Sequence, residues 1–367
     1  MRNKRVGQTR RPTISRRHFA AASFTALAAP KLALTRGAES DSPTQRCGMG
    51  LVIYDYQLRR RWLNSRSSGN DLFEPLTFLK HCRAVGAGGM QARLGKLSAA
   101  AIQTLRTYAQ QQRLFIEAIV NLPKEDTDVG RFEAEIATAR DAGAKAIRTT
   151  IIPGRRYERF ESLEMFREFE RHGARMRRRA VPIVEKHRVR LAVENHKDQR
   201  VDERIALLKQ IDSPHVGVCL DTGNSLALLD GAYEPIEAMA PYAFTVHLKD
   251  QAVREYRDGF LLADVPLGQG SLDLKRIVRT IRHAKPDIGF SLELITRDPL
   301  KIPYLTESFW STLPNVPASD LVRTLRFVRE HSADGQQVSG LPLTEQVALE
   351  ESNVRSSLEF ARRELGL

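Results

Sequence analysis

Residues 189–196 read VRLAVENH, and the way this run ends decides what the chain can be. Side chains alternate faces along a strand. Val189, Leu191 and Val193 therefore share a bulky apolar face, while Ala192 and Glu194 share the other. The same division recurs three times downstream. In VGVCLDTGN (216–224), Val216, Val218 and Leu220 oppose Gly217, Cys219 and Asp221. In AFTVHLKD (243–250), Phe244, Val246 and Leu248 oppose Ala243, Thr245 and His247. In GFSLELI (289–295), Phe290, Leu292 and Leu294 oppose Gly289, Ser291 and Glu293. A bulky face suits packing under helices, and a face of small residues suits a narrow interior. Each small face finishes in one strong donor near the C-terminal end of its strand.

Four earlier apolar runs, at 48–56, 88–95, 114–122 and 144–152, complete a set of eight. Helical patterns lie between them, for example at 98–112, 162–187 and 271–284. Strand–helix alternation repeated eight times predicts an α/β chain of parallel strands joined by crossovers, and its length suits a closed (β/α)8 TIM barrel over 48–334. An open doubly wound sheet would be expected to carry a Gly-rich phosphate turn after its first strand, and none is present. Residues 335–367 form an extension with an extra C-terminal helix. Val347, Val354, Leu358, Ala361 and Leu365 fall at helical spacing there, for packing on the barrel or on a second subunit, so a homo-oligomer stays open.

The formal charge of +13 on 367 residues would raise nucleic acid as a partner. Nine of the 57 Lys and Arg fall in residues 1–38, which contain no acid; the rest of the chain has 48 basic against 44 acidic side chains. SRRHFAAASFTALAAPKLAL (15–34) pairs Arg16 and Arg17 with a short apolar run, too short to span a bilayer comfortably. The order resembles a twin-arginine export signal over 1–38, followed by a linker at 39–47 and a periplasmic or extracellular destination with no membrane attachment after export. Three cysteines without a C-x-x-C pattern indicate neither a disulfide framework nor a zinc ribbon.

Barrel enzymes build their sites at the C-terminal rim, where Glu194, Asp221, His247 and Glu293 would converge. Carboxylates about 4 Å apart repel by roughly 4 kcal/mol per pair at an effective dielectric near 20. Protons or a cation must resolve this. Three oxygen donors and one imidazole suit one divalent metal ion, Mn2+, Mg2+ or Co2+ ahead of Zn2+.

ENH, LDTGN, VHLKD and SLEL, in this order on the last four strands, resemble the xylose-isomerase-like TIM-barrel superfamily of sugar isomerases and epimerases. LGQGSLDLKRIVRTI (267–281) is similar to that group's Gly-x-Gly turn and following helix. The resemblance implies Glu194, Asp221, His247 and Glu293 as metal ligands, with Glu194 and Glu293 as the catalytic pair that shuttles protons on a small-molecule sugar or polyol. A metal-stabilised enediolate is the expected intermediate of such isomerases and epimerases, and dehydratase or lyase chemistry on a keto sugar or inosose begins with the same proton removal. Two departures stand out: Asn224 replaces a family His, and Val253 a family Arg, with Arg254 one residue further on. The expected substrate contacts are His196, Asn224, Lys249, Arg254, Arg93, Arg148 and Trp310. Gln91 and Tyr54 are weaker candidates. Residues 297–320 read as a long loop whose Tyr304, Phe309 or Trp310 would cover the site. ARMRRRA (174–180) reads as a solvated helix face. The alternatives are an apurinic endonuclease-like nuclease, which lacks the extra His ligands here, and a non-catalytic sugar-binding barrel. No nucleic acid partner is expected.

Overall fold

Eight parallel strands close into a ring. They are β1 (Gly50–Val52), β2 (Gly89–Ala92), β3 (Phe115–Ile119), β4 (Ile147–Thr149), β5 (Leu191–Glu194), β6 (Val216–Asp221), β7 (Ala243–Leu248) and β10 (Phe290–Leu292). Neighbours run in the order β1-β10-β7-β6-β5-β4-β3-β2, so the last strand closes on the first. Each falls inside one of the eight expected runs. The computed structural model describes residues 48–66, 71–152 and 154–367. The expected export signal and linker lie outside the described residues.

Helices fill the crossovers where expected. Ser98 caps α3 (Ala99–Gln111) through its hydroxyl, Ser162 caps α6 (Leu163–His187), and Asp273 caps α9 (Leu274–Ala284); each side chain accepts from a backbone N–H in the first turn. The outward apolar faces pack beneath these helices, with Phe132 and Phe166 fully buried. Truncating such a phenylalanine would cost about 3–5 kcal/mol. Gly217 is required sterically: a Cβ there would come within 2.5 Å of the Tyr242 carbonyl oxygen and 2.9 Å of the Phe244 ring at the start of β7. One surface expectation is corrected. Arg175 and Arg178 are exposed, but Arg177 is buried on α6 beside Met176 and Ala180, because it faces the barrel side of the helix.

Between β7 and α9 the chain forms an antiparallel hairpin, β8 (Asp250–Tyr256) and β9 (Gly259–Val265), extended by β11 (Leu300–Ile302). The segment expected as a long loop at 297–320 is thus built into structure, with β11, α10 (Glu307–Trp310) and the start of α11 (Ala318–Glu330). The C-terminal helix α12 (Leu343–Phe360) packs on the barrel. Glu350 accepts from the backbone N–H groups of Leu58 and Arg59 at 2.7 and 2.9 Å, at the start of α1 (Gln57–Ser65), and Arg59 pairs with Glu351 at 3.0 Å.

Candidate metal centre and surrounding pocket

The ring register brings the four rim donors together. Asp221 stands opposite His247 across β6 and β7, and His247 stands opposite Ser291 across β7 and β10. Glu293 lies two residues past Ser291, while Glu194 stands opposite Cys219 across β5 and β6. One donor atom from each of Glu194, Asp221, His247 and Glu293 lies within 4.8 Å of all the others, and all four residues are buried. His247 Nδ1 is 3.2 Å from Glu293 Oε2, 3.9 Å from Glu194 Oε2 and 4.0 Å from Asp221 Oδ2.

Among the described residues His247 Nδ1 has no hydrogen-bond partner, and Asp221 Oδ2 has only the Lys249 ammonium beside it at 2.9 Å. Buried polar atoms are ordinarily satisfied, so an open imidazole nitrogen among three converging carboxylates fits a cation site. The histidine tautomer follows from its support. Gln91 donates from Nε2 to Glu117 at 2.9 Å, so its oxygen faces His247 Nε2 at 2.8 Å and accepts from it. Thr245 donates to Glu117 at 2.8 Å and holds the base of this chain. In neutral His247 this leaves the Nδ1 lone pair toward the carboxylates, as a ligand requires, and without an ion the same nitrogen takes the proton. Asp221 is set just as firmly: its backbone N–H donates to Asn195 at 2.7 Å, and its Oδ1 accepts from Gly223 and Asn224 N–H at 3.0 Å. Oxygen donors with one imidazole fit Mn2+, Mg2+ or Co2+, with Zn2+ also compatible.

Without an ion, nearby cations and protons offset the repulsion. Burial raises Glu194, but the Arg148 guanidinium beside it outweighs that and leaves it below the usual carboxylate range. Burial likewise opposes ionisation of Glu293, yet Lys249 at 2.8 Å and His247 hold it well below. Asp221 is lifted by burial to about 6 despite Lys249 at 2.9 Å. Burial disfavours the imidazolium of His247, but Cys219, Glu293 and Glu194 around it raise it well above the ordinary value. A divalent ion would take over the compensation now made by a proton on His247 and by Lys249.

A pocket of about 620 Å³ opens above the cluster. Glu293, Lys249, Arg148, His196 and Arg93 line it, together with Tyr54. Arg93 is exposed and donates to Tyr54 Oη and Asn121 Oδ1 at 3.2 Å. Burial keeps His196 below its usual pKa, and among the described residues its Nδ1 has no partner. Asn224 is fully buried behind the wall; it donates to Asn195 O at 3.0 Å and lies 3.4 Å from Glu194 Oε1.

Two expectations are corrected. Arg254 is on β8, where alternation buries Val253 and turns Arg254 outward to an exposed ion pair with Asp334. Trp310 does not line the pocket: its Nε1 donates to Tyr304 O at 2.7 Å, and its ring packs on the buried Phe309. Tyr304 packs on Phe260 of the hairpin, so the expected aromatic cover is part of the fold. Sequence reasoning missed Lys197, which is buried at the pocket wall, and Glu117 beneath His247. Lys197 stands one residue beyond His196, but nothing local shows where its side chain turns. Glu117 sits on the inward face of β3, and a carboxylate inside an apolar run was the available signal. Asp250 proves structural, since its oxygens accept from the N–H groups of Gln251, Gly268, Gly270 and Leu272 and hold the Gly-x-Gly turn.

Comparison with known proteins agrees with this architecture. The sequence model of the xylose isomerase-like TIM barrel family matches residues 79–325. A 3-oxo-isoapionate decarboxylase of Pectobacterium atrosepticum is 32% identical over 115 residues, which is 31% of this chain and 42% of that protein; the chain thus matches less than half the length of this curated relative. A xylose isomerase-like TIM barrel protein from Mycobacterium smegmatis, solved in complex with magnesium, superposes with a TM-score of 0.52 at 15% identity, covering 76% of this chain and 97% of its own. A 3-keto-D-glucoside 4-epimerase from E. coli gives 0.49 at 15% identity, covering 70% and 94%. At 15% identity the likeness to the Mycobacterium smegmatis protein speaks for the fold alone. The family match spans about two thirds of the sequence and includes β3 to β10, the strands that carry all four rim donors: the chain belongs to the xylose isomerase-like TIM barrel family.

Proposed function

We propose that this protein is an exported, divalent-metal-dependent enzyme that enolises a keto sugar or related polyol in an isomerisation or epimerisation. The observation that carries this reading is the buried four-donor cluster, with the open Nδ1 of His247, beneath a pocket of about 620 Å³. Glu194, Asp221, His247 and Glu293 would hold the ion. When bound, the ion supplies positive charge that polarises a carbonyl and stabilises its oxygen as the neighbouring C–H loses a proton.

The protein's own groups do the proton work. Glu293 faces the pocket, while Glu194 sits at the floor, fixed by Arg148 and close to Asn224. β5 and β10 are three places apart around the eight-membered ring, so the two carboxylates reach a bound substrate from different sides. One can take a proton from carbon and the other return it, which inverts or relocates a centre. Lys249, which pairs with Glu293 and Asp221, would hold a substrate oxygen over the cluster. Nuclease chemistry with several ions is disfavoured, because β2, β3 and β6 end near Arg93, Asn121 and Asn224 rather than in further histidines. The partial similarity to a decarboxylase favours a second reading, in which loss of CO2 from a 3-keto acid generates the enolate that a protein acid then protonates, or an enolate formed by proton removal expels a neighbouring hydroxide. Export rests on the Arg16-Arg17 pair ahead of its apolar run.

The test is incubation of Mn2+-loaded protein with a panel of keto sugars and inososes in D2O, followed by NMR. Deuterium should appear next to the carbonyl, and Glu293→Gln should slow its entry by about 100-fold or more. A loaded enzyme that exchanges no panel member sinks the enolisation reading.

A further inference from the structure

Lys197 is a buried cation with poor compensation. Its Nζ donates to Asn224 Oδ1, and Lys249 Nζ shares that same oxygen at 3.4 Å. The other cations near the cluster have carboxylates: Lys249 has Asp221 and Glu293, Arg148 has Glu194, and Arg297 has Asp264 at 3.0 Å. Among the described residues, no carboxylate stands within ion-pair distance of Lys197, which is 4% exposed and lines the pocket. Its backbone is in the left-handed region at φ 55°, where glycine would be free of strain. A buried charge with a neutral partner, on a strained backbone, is costly to the fold and points to a ligand.

The charge of the whole pocket agrees. Eight of its lining residues are Lys or Arg, and Glu293 is the one acid among them. With a divalent ion in place, the three rim carboxylates, Arg148 and Lys249 leave the cluster at a net charge of about one positive, and Lys197 adds another. His196 Nδ1, also buried and unpartnered, gives a second polar atom on the same wall.

We propose that Lys197 binds an anionic oxyacid group of the substrate, a carboxylate, so that the enzyme acts on a keto-aldonate rather than a neutral keto sugar. This rests on the enolisation reading and deepens it. Only the Asn224 amide separates Lys197 from the rim cluster, since Asn224 Nδ2 lies 3.4 Å from Glu194 Oε1. A carboxylate one or two carbons from a carbonyl held over the cluster reaches that wall. The terminal phosphate of a six-carbon keto sugar would sit roughly 5 Å further along the chain.

Calorimetric titration of the full-length, Mn2+-loaded protein with 2-keto-D-gluconate, D-fructose and D-fructose 6-phosphate tests the assignment. The ketoaldonate should bind about tenfold or more tightly than D-fructose, as one charge-assisted hydrogen bond to a buried cation gives. K197M and K197G should erase that preference, and K197R should keep most of it. K197G also relieves the left-handed backbone, so a folding defect does not obscure the result. Equal binding of ketoaldonate and D-fructose, no ketoaldonate binding at tens of millimolar, or a preference that survives in K197M overturns the proposal. Tighter binding of the phosphate than of the ketoaldonate overturns the carboxylate assignment. A binding preference without deuterium exchange leaves the anion site standing and removes the enolisation reading; exchange without a preference does the reverse.

Discussion

Replacing Gln91 with leucine tests whether the metal centre depends on the hydrogen-bond chain beneath it. In the native protein Gln91 joins His247 Nε2 at 2.8 Å to Glu117 at 2.9 Å, all three side chains being buried. Leucine removes both links. His247 Nε2–H then lacks an acceptor, and Glu117 keeps only the Thr245 hydroxyl at 2.8 Å. Each unsatisfied buried group costs about 1–3 kcal/mol, so Gln91→Leu should lower the stability of the metal-free protein by about 2–5 kcal/mol. Loss of the partner that orients a ligating histidine typically weakens metal affinity 10–100-fold, or about 1.4–2.7 kcal/mol. The assay is calorimetric Mn2+ titration of chelator-stripped wild type and variant, with denaturant unfolding of both metal-free proteins. Wild-type Mn2+ affinity in Gln91→Leu would show that Gln91 does not set the imidazole, even if stability fell. Gln91→Glu is the companion variant: a second carboxylate beside buried Glu117 should destabilise the metal-free protein further as pH rises.

Asp250→Ala removes the acceptor of four backbone N–H groups around the 267–272 turn and should cost about 2–4 kcal/mol in urea unfolding while leaving Mn2+ affinity unchanged. Burial pushes Glu350 up to about 7, against the Leu58 and Arg59 N–H groups that favour its ionised form. Its folded pKa is raised, so its stabilising contribution is complete below about 4.5 and is lost as pH climbs through about 7. Relative to Glu350→Gln, wild type should lose about 3 kcal/mol of stability across that window, and parallel pH profiles for the two proteins would refute the assignment.

The fold was legible because its signal is local. Alternation within eight short runs separates a bulky outer face from a small inner one, and neither depends on distant residues. The four rim donors were legible for the same reason, since each ends a small face. Arg254 was expected at the site from its place after His247 in the sequence, and the hairpin it belongs to lies outside the eight strand–helix repeats. Once 250–256 and 259–265 pair as β8 and β9 around the two-residue turn Arg257-Asp258, alternation fixes Arg254 outward. The segment around Trp310 failed as a cover because β11 joins that hairpin and draws its aromatic residues into the packing.

What the sequence determined by itself, then, is the set of strands, their inward faces and the donor each one delivers to the rim. What the tertiary structure alone decided is how those donors are held and charged. Gln91 meets His247 across 156 residues, and Arg148 meets Glu194 across 46. Lys197 reaches the pocket through one left-handed turn after β5. Such pairings depend on ring closure, on strand register and on single backbone angles, and a one-residue slip in register would turn each of these side chains to the opposite face. Local periodicity carries no information about distances across the ring, and the electrostatics of the site is a matter of those distances.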